Sequence, residues 1–227
     1  MPRRMGVTCR YWGSAGIGLA SLHMSETFFV HPTAEVAVDA RVGYGARIWH
    51  QAQILTSAHI GEETIVGKGV YIDRGVRVGA RVKIQNYALL YRGSVIEDDV
   101  LIGPQVVMTN DTYPRASNAD GSRRADADWT VTGSIIHRGA SLGAGCIVLP
   151  GVDVGANAMA GAGALLADDV PEHALVLGSP ARRVGWVCLC GNRLDDDRLV
   201  CLGCSRAYRK LNAGLASADT RPVFSLL

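Results

Sequence analysis

Four cysteines near the C-terminus have the spacing of a metal site. They form two close pairs, Cys188-x-Cys190 and Cys201-x-x-Cys204, on either side of the polar segment 191–197. Each pair can supply two thiolate ligands from one turn, as a tetrahedral zinc site requires. Four thiolates leave no open coordination position, so the spacing predicts a structural zinc ion. The alternative is four reduced or partly paired thiols in a plain tail.

Two sets of polar residues recur at intervals of 18. The first set is His50, Lys68 and Asn86, and the second is Arg74, Arg92 and Asn110. A side-chain amide can orient a polar substrate, and an imidazole can also accept its proton. Two guanidinium groups stacked about 5 Å apart repel each other unless an anion lies beside them. Residues within each set can act together in this way only if the fold places residues 18 apart above one another.

A repeat of six residues supplies that arrangement. An apolar residue occurs at every sixth position over residues 30–108 and again over 136–166, and a small residue follows each one four positions later, with Thr112 as the last before the interruption. A strand with one inward aliphatic side chain, followed by a corner that accepts a small inward side chain, describes one side of a triangular prism. Three hexads complete a coil, so residues 18 apart lie on the same side of adjacent coils.

The twenty hexads predict an all-β fold, a parallel β-helix of about seven coils with strands spaced about 4.8 Å apart. Glycine directly after the aliphatic residue, as at Gly61 and Gly79, suits close backbone approach near corners. Residues 114–135 break the period and predict an excursion loop, and long loops on rigid scaffolds are usually functional. Cys146 falls on a small inward position, which indicates packing rather than nucleophilic chemistry.

The predicted organisation has four parts. They are a disordered leader (1–27), the β-helix (28–186), a small Cys-rich module (187–210) and a tail (211–227).

Five short strings narrow the fold to a family. They are Ala46-Arg-Ile-Trp-His50, Val82-Lys-Ile-Gln-Asn86, Ile96-Glu-Asp-Asp-Val100 with Gly103-Pro104, Thr109-Asn110 with Pro114-Arg115, and Val184-Gly-Trp186. Over about residues 28–210 the chain resembles the hexapeptide-repeat acyltransferases. Within them it is similar to the bacterial enzymes that acetylate a 3-amino group on UDP- or dTDP-linked deoxysugars for surface polysaccharides. The resemblance implies a left-handed coil, a homotrimer, and attack of the acceptor amine on the thioester of acetyl-CoA.

The two columns then acquire expected roles at a nucleotide-sugar site. Asn86 is expected to orient the acceptor amine, with His50 in the sugar pocket or acting as a base, and Lys68 between them. The second column, together with Arg115, is expected to bind the sugar-nucleotide diphosphate or a sugar carboxylate. The alternatives are a solvated face for the first column, and neutralisation of the arginines by Glu62, Asp73 or Glu97. The sequence also departs from the family pattern, with Tyr87 where a second Asn is usual and Arg92 where an acidic residue is usual, and this leaves the sugar open.

A second group of residues is similar to the region where these enzymes bind CoA. It comprises Gly143 and Ala144, Ala162, and the pair Arg182 and Arg183. Small residues let the thin pantetheine arm approach backbone amides, and arginines can neutralise nucleotide phosphates. The competing interpretation is that the glycines serve corner geometry alone.

Three other functions remain possible from sequence. The same prism carries γ-class carbonic anhydrases, but His50, His59 and His137 lack that family's close spacing and its Arg-Gly-Asp string. A sugar O-acetyltransferase needs a histidine that deprotonates a hydroxyl. A non-catalytic scaffold is the third alternative.

Composition limits the partners. The 227 residues carry a net charge of +2 and 6% aromatic residues, and no block of like charge occurs. We therefore expect no nucleic-acid or membrane partner. The apolar run at 13–22 falls short of the roughly 20 residues that span a bilayer, and a cytoplasmic protein is predicted.

Overall fold

A computed structural model describes residues 28–195 and 197–218; the predicted leader lies outside them. In the repeat region every strand has two residues, and the second is the predicted inward aliphatic. The strands are β1 Phe29–Val30, β2 Glu35–Val36, β3 Arg41–Val42, β4 Arg47–Ile48, β5 Gln53–Ile54, β6 His59–Ile60, β7 Ile65–Val66, β8 Tyr71–Ile72, β9 Arg77–Val78, β10 Lys83–Ile84, β11 Leu89–Leu90, β12 Val95–Ile96, β13 Leu101–Ile102, β14 Val107–Met108, β15 Ile135–Ile136, β16 Ser141–Leu142, β17 Ile147–Val148, β18 Asp153–Val154, β19 Met159–Ala160 and β20 Leu165–Leu166. Four further strands follow: β21 Ala174–Gly178, β22 Ala181–Trp186, β23 Tyr208–Lys210 and β24 Leu215–Ser217.

The strands stack into three sheets that form the faces of a prism. Face A has the order β1-β4-β7-β10-β13-β16-β19-β21-β22, face B has β2-β5-β8-β11-β14-β17-β20, and face C has β18-β15-β12-β9-β6-β3. Strands of adjacent coils are parallel and pair residues 18 apart, as in Phe29 with Arg47. The predicted left-handed parallel β-helix is confirmed, with about eight turns.

Corners join the faces, and they define three edges of the prism. Edge AB holds the corners that follow face A strands, edge BC those that follow face B, and edge CA those that follow face C.

The interior is filled as the repeat predicts. The largest fully buried side chains are Ile48, Ile54, Ile60, Ile72, Ile84, Leu90, Ile96, Ile102, Met108, Ile136, Leu142 and Leu166. Small polar residues at inward corners satisfy their hydrogen bonds locally, since Thr64 Oγ1 donates to Gly79 O at 2.8 Å and Cys146 Sγ donates to Gly161 O at 3.0 Å. Burial also raises the pKa of the Cys146 thiol, in keeping with a packing role.

Glycine after the inward aliphatic lets adjacent coils approach closely. A Cβ on Gly61 would lie 2.3 Å from the carbonyl carbon of Gly79 in the next coil. No side chain fits in this space without moving the backbone. The spacing between coils therefore depends on such glycines.

The excursion interrupts one coil between β14 and β15. Here Ile96 pairs with Ile136, 40 residues on rather than 18, so the insertion adds 22 residues. The prediction that Thr112 fills an inward corner is wrong, because its side chain is exposed. Ser134 is fully buried in that position and donates to Leu149 O at 3.0 Å. The chain has already left the coil at residue 112, and it returns at Ser134.

The C-terminal segment leaves the repeat and folds back over the coil. Strand β22 pairs antiparallel with β21 at the end of face A, and β23 pairs antiparallel with β24. Leu215 in β24 is completely buried, so ordered structure continues past residue 210, where the sequence predicts that the module ends. Across the described ranges, no helix has the length and apolarity to cross a membrane.

Candidate functional site

Edge AB carries the first predicted column. His50, Lys68 and Asn86 lie in three successive coils, and each coil bonds to the next: Gly69 N donates to His50 O at 3.0 Å and Tyr87 N donates to Lys68 O at 2.9 Å. The 18-residue spacing thus places these residues one above another. His50 and Asn86 are two coils apart, a span of roughly 10 Å.

A groove of about 490 Å³ follows this column. Its walls are Trp49, His50, Ile65, Gly67, Lys68, Ile84, Gln85, Asn86 and Pro104. Sequence reasoning did not single out Trp49 or Gln85, although both belong to the family-like strings and directly precede His50 and Asn86. A groove of this size, with aromatic, amide and ammonium groups, can hold a sugar ring and present hydrogen-bond partners to it.

Asn86 is anchored by one end of its side chain. Its Oδ1 accepts a hydrogen bond from the backbone N–H of Lys68 at 3.0 Å. Asp98 accepts the N–H of Ala80 in the same way at 2.9 Å. This type of bond is therefore a structural feature of the coil corners. Within residues 28–195 and 197–218, Nδ2 of Asn86 has no hydrogen-bond partner. The Oδ1 atom therefore fixes the side chain at the corner, and the Nδ2 donor remains available for a ligand.

His50 belongs to an aromatic cluster at the first coils. Its ring stacks on His31 with centroids 3.5 Å apart and lies nearly parallel to the ring of Trp49, whose centroid is 5.5 Å from that of Phe29. Desolvation, followed by the charge of His50, lowers the pKa of His31. No group in the described part of the chain bonds to either ring nitrogen of His50. Among residues 28–195 and 197–218, the imidazole has packing partners but no carboxylate that would orient it as a base.

Predicted CoA residues lie farther along the same edge. The ladder continues from Asn86 through Pro104 to Ala144 and Ala162, since Gln105 N donates to Asn86 O, Gly145 N to Pro104 O, and Gly163 N to Ala144 O, at 2.8–3.0 Å. Ala144 and Ala162 are exposed. Their methyl groups project little from the edge, so a thin ligand can approach the backbone there. The acceptor column and the small residues thus form one continuous edge.

Gly143 has a structural explanation of its own. A Cβ there would lie 2.6 Å from the backbone nitrogen of Ala162, so corner packing alone requires glycine.

Arg182 and Arg183 lie on β22, beside β21 at the end of face A. Arg183 lies over the Trp186 ring at 4.4 Å, and exposed Arg182 is 3.6 Å from Asp168. Both guanidinium groups stay at the surface, where they can meet an anion.

The arginine column occupies a different edge, BC. Arg74 forms an ion pair with Asp126, and Arg92 Nη1 lies 3.7 Å from the same carboxylate. Asn110 Nδ2 donates to Arg92 O at 3.0 Å, and Arg92 also lies 5.4 Å from the ring centroid of Trp129. Hydrogen bonding to Arg74 lowers the pKa of Asp126. An acidic group does neutralise the arginines, but it comes from the excursion.

Two of the three residues expected to neutralise the arginines, Asp73 and Glu97, accept hydrogen bonds from groups other than the two guanidinium groups. Asp73 accepts the backbone N–H groups of Arg74 and Arg92 at 2.7 and 3.1 Å. Glu97 accepts from His137 and from the backbone of Arg138.

The excursion is organised by its own arginine. Arg124 donates to Tyr113 O at 2.7 Å and to Asp128 O at 3.1 Å, and a 3₁₀ helix spans Asp126–Asp128. Arg115 donates to the adjacent Pro114 O at 2.9 Å and is exposed. Within the described ranges, Arg115 makes no hydrogen bond or ion pair with Arg74, Arg92 or Asn110.

The four cysteines converge. All four Sγ atoms lie within 4.8 Å of one another, with Cys188 to Cys204 at 3.4 Å and Cys190 to Cys201 at 3.5 Å. A backbone hydrogen bond from Arg206 lowers the pKa of Cys204 to about 6, and one from Asn192 lowers that of Cys190.

Histidines do not converge in the same way. His50 lies on edge AB, His59 on face C and His137 on edge CA, so one chain does not bring them together. Among the described residues, the four cysteines form the one group of three or more His, Cys, Asp or Glu able to hold a metal.

Comparison with known proteins agrees with the repeat. The family model described as hexapeptide repeat of succinyl-transferase matches residues 58–87 and 135–167. The expected resemblance to hexapeptide-repeat transferases is confirmed.

Curated relatives are acetyltransferases of more than one kind. The chain is 40% identical over 78 residues to the dTDP-3-amino-3,6-dideoxy-alpha-D-galactopyranose 3-N-acetyltransferase of Aneurinibacillus thermoaerophilus, a stretch that covers 34% of this chain and 40% of that protein. It is 31% identical over 101 residues to the galactoside O-acetyltransferase of Lactococcus lactis, 44% of each chain. The chain thus spans less than half the length of these two relatives.

Two acetyltransferase structures of low identity are among the solved structures similar to this chain. PerB from Caulobacter crescentus, in complex with CoA and GDP-perosamine, is 24% identical with a TM-score of 0.45, covering 70% of this chain and 57% of that one. A hexapeptide-repeat acetyltransferase from Vibrio cholerae, in complex with acetyl coenzyme A, is 24% identical with a TM-score of 0.49, covering 57% and 70%. At these identities the likeness concerns the fold alone.

Proposed function

We propose, from the hexapeptide repeat that this chain carries, that it is an acetyl-CoA-dependent N-acyltransferase acting on the amino group of a nucleotide-linked 3-amino deoxysugar. The observation that carries the proposal is edge AB, where the groove beside Asn86, which has apolar walls and a few polar side chains, continues into the segment of small residues at Ala144 and Ala162. One edge therefore offers a place for a polar acceptor next to a place for a thin acyl carrier. The 40% identity to a dTDP-3-amino-sugar N-acetyltransferase supports the amine as acceptor.

The proposed reaction is direct transfer. The acceptor nitrogen attacks the thioester carbonyl, the C–S bond breaks, CoA leaves as its thiolate, and the nitrogen releases a proton. An amine has a useful neutral fraction near pH 7 to 8, so holding it against the thioester can supply much of the rate. Asn86 orients the acceptor, and His50 and Lys68 line the sugar pocket. Arg182 and Arg183 are available for the phosphates of CoA.

The state of His50 favours nitrogen over oxygen as the acceptor atom. A hydroxyl must lose its proton as it attacks, which calls for an oriented base. His50 stacks on His31 and has no carboxylate partner within the described ranges, so its geometry suits binding better than proton abstraction. The O-acetyltransferase alternative keeps support from the galactoside O-acetyltransferase relative.

A matched pair of acceptors separates the two reactions. The protein is given acetyl-CoA with a dTDP-linked 3-amino-3,6-dideoxyhexose or with the same nucleotide sugar carrying a 3-hydroxyl, and free thiol is followed. We expect thiol release with the amine and a rate at the level of acetyl-CoA hydrolysis with the hydroxyl. Release with the hydroxyl alone would overturn the proposal in favour of O-acetylation, and failure to bind acetyl-CoA would favour the scaffold alternative.

The proposal includes a homotrimer, in which the arginine column of one chain meets the acceptor site of another. Arg74 and Arg92 lie on edge BC, away from Asn86 on edge AB, so both columns can serve one acceptor if the BC edge of a neighbouring chain faces the AB edge of the first. In this arrangement the sugar-nucleotide diphosphate competes with Asp126 for the two guanidinium groups.

Subunit mixing tests that arrangement. Asn86→Ala and Arg92→Ala subunits, each defective alone at low acceptor concentration, are unfolded together, refolded and assayed. Random trimers would regain about a quarter of the wild-type sites if each site takes one edge from each of two chains. Activity equal to the mean of the two separate variants would refute the shared site. We also propose a cytoplasmic location, because a reducing compartment suits the five free thiols of the described residues.

A further inference from the structure

The C-terminal module has the internal geometry of a metal site, and the proposed transfer reaction does not use it. Its four thiols, here called the four-cysteine cluster, are Cys188, Cys190, Cys201 and Cys204. Each pair sits in a tight turn, with Gly191 N donating to Cys188 O and Ser205 N to Cys201 O, both at 2.8 Å. A zinc tetrathiolate with Zn–S bonds of about 2.3 Å has sulfur atoms roughly 3.8 Å apart. The observed 3.4 to 4.8 Å brackets that separation.

Side-chain N–H donors contact two of the four sulfur atoms. Asn192 Nδ2 lies 3.4 Å from Cys190 Sγ, and Arg206 Nη1 lies 3.3 Å from Cys204 Sγ. Four thiolates around Zn²⁺ carry a net charge of −2, which an adjacent guanidinium and amide donors stabilise. Neutral thiols packed as ordinary core would gain little from this arrangement.

We propose that the four-cysteine cluster binds one Zn²⁺ ion, and that this ion locks the C-terminal module over the end of the β-helix. The site is closed, with four protein ligands and no position for a substrate, so its role is structural. The module covers about thirty residues with few buried side chains, Leu194, Leu199, Tyr208 and Leu215 among them. A core of that size needs a metal or another crosslink to stay folded.

Tyr208 connects the cluster to the last coil. Its hydroxyl lies 3.1 Å from Cys188 Sγ and accepts the N–H of Leu189 at 2.9 Å. Its ring packs edge-on against His173 at 4.9 Å, and His173 exchanges hydrogen bonds with Val187. Loss of the metal would therefore release Tyr208 and expose the coil end around His173.

Metal analysis of the full chain tests the site. Protein purified without added zinc is expected to contain about one zinc per chain, and Cys201→Ser is expected to lose it. Cys146→Ser is the matched control, because this cysteine is buried in the coil, outside the cluster, and serine retains a donor for Gly161 O. Metal-free wild-type protein, two disulfides by mass, or iron in place of zinc would overturn the assignment.

Two readouts on the wild-type chain keep the test valid if Cys201→Ser fails to fold. A mercurial that titrates thiols should release zinc to a colorimetric chelator as the fourth cluster thiol reacts, one ion per chain. Hydrogen exchange with and without that treatment should then increase in β24 and around His173, and leave the amides of β10 unchanged. Zinc release with no increase in exchange near His173 would refute the locking role.

Discussion

Two substitutions of Asn86 distinguish the role of its Oδ1 acceptor from that of its Nδ2 donor. Oδ1 holds the Lys68 N–H at 3.0 Å, as Asp98 Oδ1 holds the N–H of Ala80. Asn86→Asp therefore keeps the corner acceptor and removes the Nδ2 donor, whereas Asn86→Ala removes both. Because the corner is exposed, water replaces the lost acceptor, and Asn86→Ala should lower the free energy of unfolding by about 0.5–1.5 kcal/mol. Asn86→Asp should lower it by less.

The effect on catalysis should exceed the effect on stability. Loss of one hydrogen bond to the acceptor costs about 1 kcal/mol, or about fivefold in rate, and misplacement of the amine adds to it. We expect kcat/KM for the acceptor to fall at least about 10-fold in both variants, with the KM for acetyl-CoA unchanged. Initial rates of thiol release at varied acceptor, with urea unfolding of the same preparations, measure both effects. Wild-type turnover in Asn86→Ala would refute the assignment. A fall in kcat/KM in Asn86→Ala but not in Asn86→Asp would assign the effect to the corner hydrogen bond.

Three further predictions concern other parts of the molecule. Burial lowers the pKa of His173 below 6.5, so the unfolded chain binds a proton more readily than the folded protein does. The free energy of unfolding should therefore fall as the pH drops below about 6.5. Melting temperatures recorded from pH ~7.5 to ~5.5 should depend less on pH in His173→Gln than in the wild type. Gly61→Ala should lower the melting temperature far more than Gly75→Ala. A Cβ at residue 61 would lie 2.3 Å from the Gly79 backbone, whereas a Cβ at residue 75 would meet open space. The cost at residue 75 is only that of a left-handed φ, about 1–2 kcal/mol. Equal losses would contradict the packing argument. Arg92→Ala should raise the acceptor KM with little change for acetyl-CoA, and an unchanged acceptor KM would exclude the anion site.

The β-helix follows from the sequence because each hexad repeats the same two packing constraints. A side chain that points inward must be aliphatic on the strand and small at the corner, so the period alone assigns residues such as Ile84 and Ala88 to the core. The same arithmetic predicts which polar residues share an edge, and the ladder from His50 to Asn86 confirms it.

The excursion marks the limit of that arithmetic. It has no period, so nothing in the sequence indicates that Asp126 reaches back to Arg74 and Arg92, or that Ser134 rather than Thr112 fills the inward corner. Stacking of His31 on His50 was missed for a related reason: the period places His31 below Trp49, and only side-chain orientation brings it to the neighbouring ring. The hairpin at Tyr208 depends on contacts with the coil end, which local pattern does not reveal.

The proposed transfer of an acetyl group from acetyl-CoA to a sugar amine is tested most directly by a single time course. The protein is incubated with acetyl-CoA and a dTDP-linked 3-amino deoxysugar, and free thiol and acetylated nucleotide sugar are quantified together. We expect equal amounts of both, with an amide at the 3-position and saturation in each substrate. Thiol release without acetylated sugar, or no thiol release with any nucleotide-linked 3-amino sugar, would contradict it.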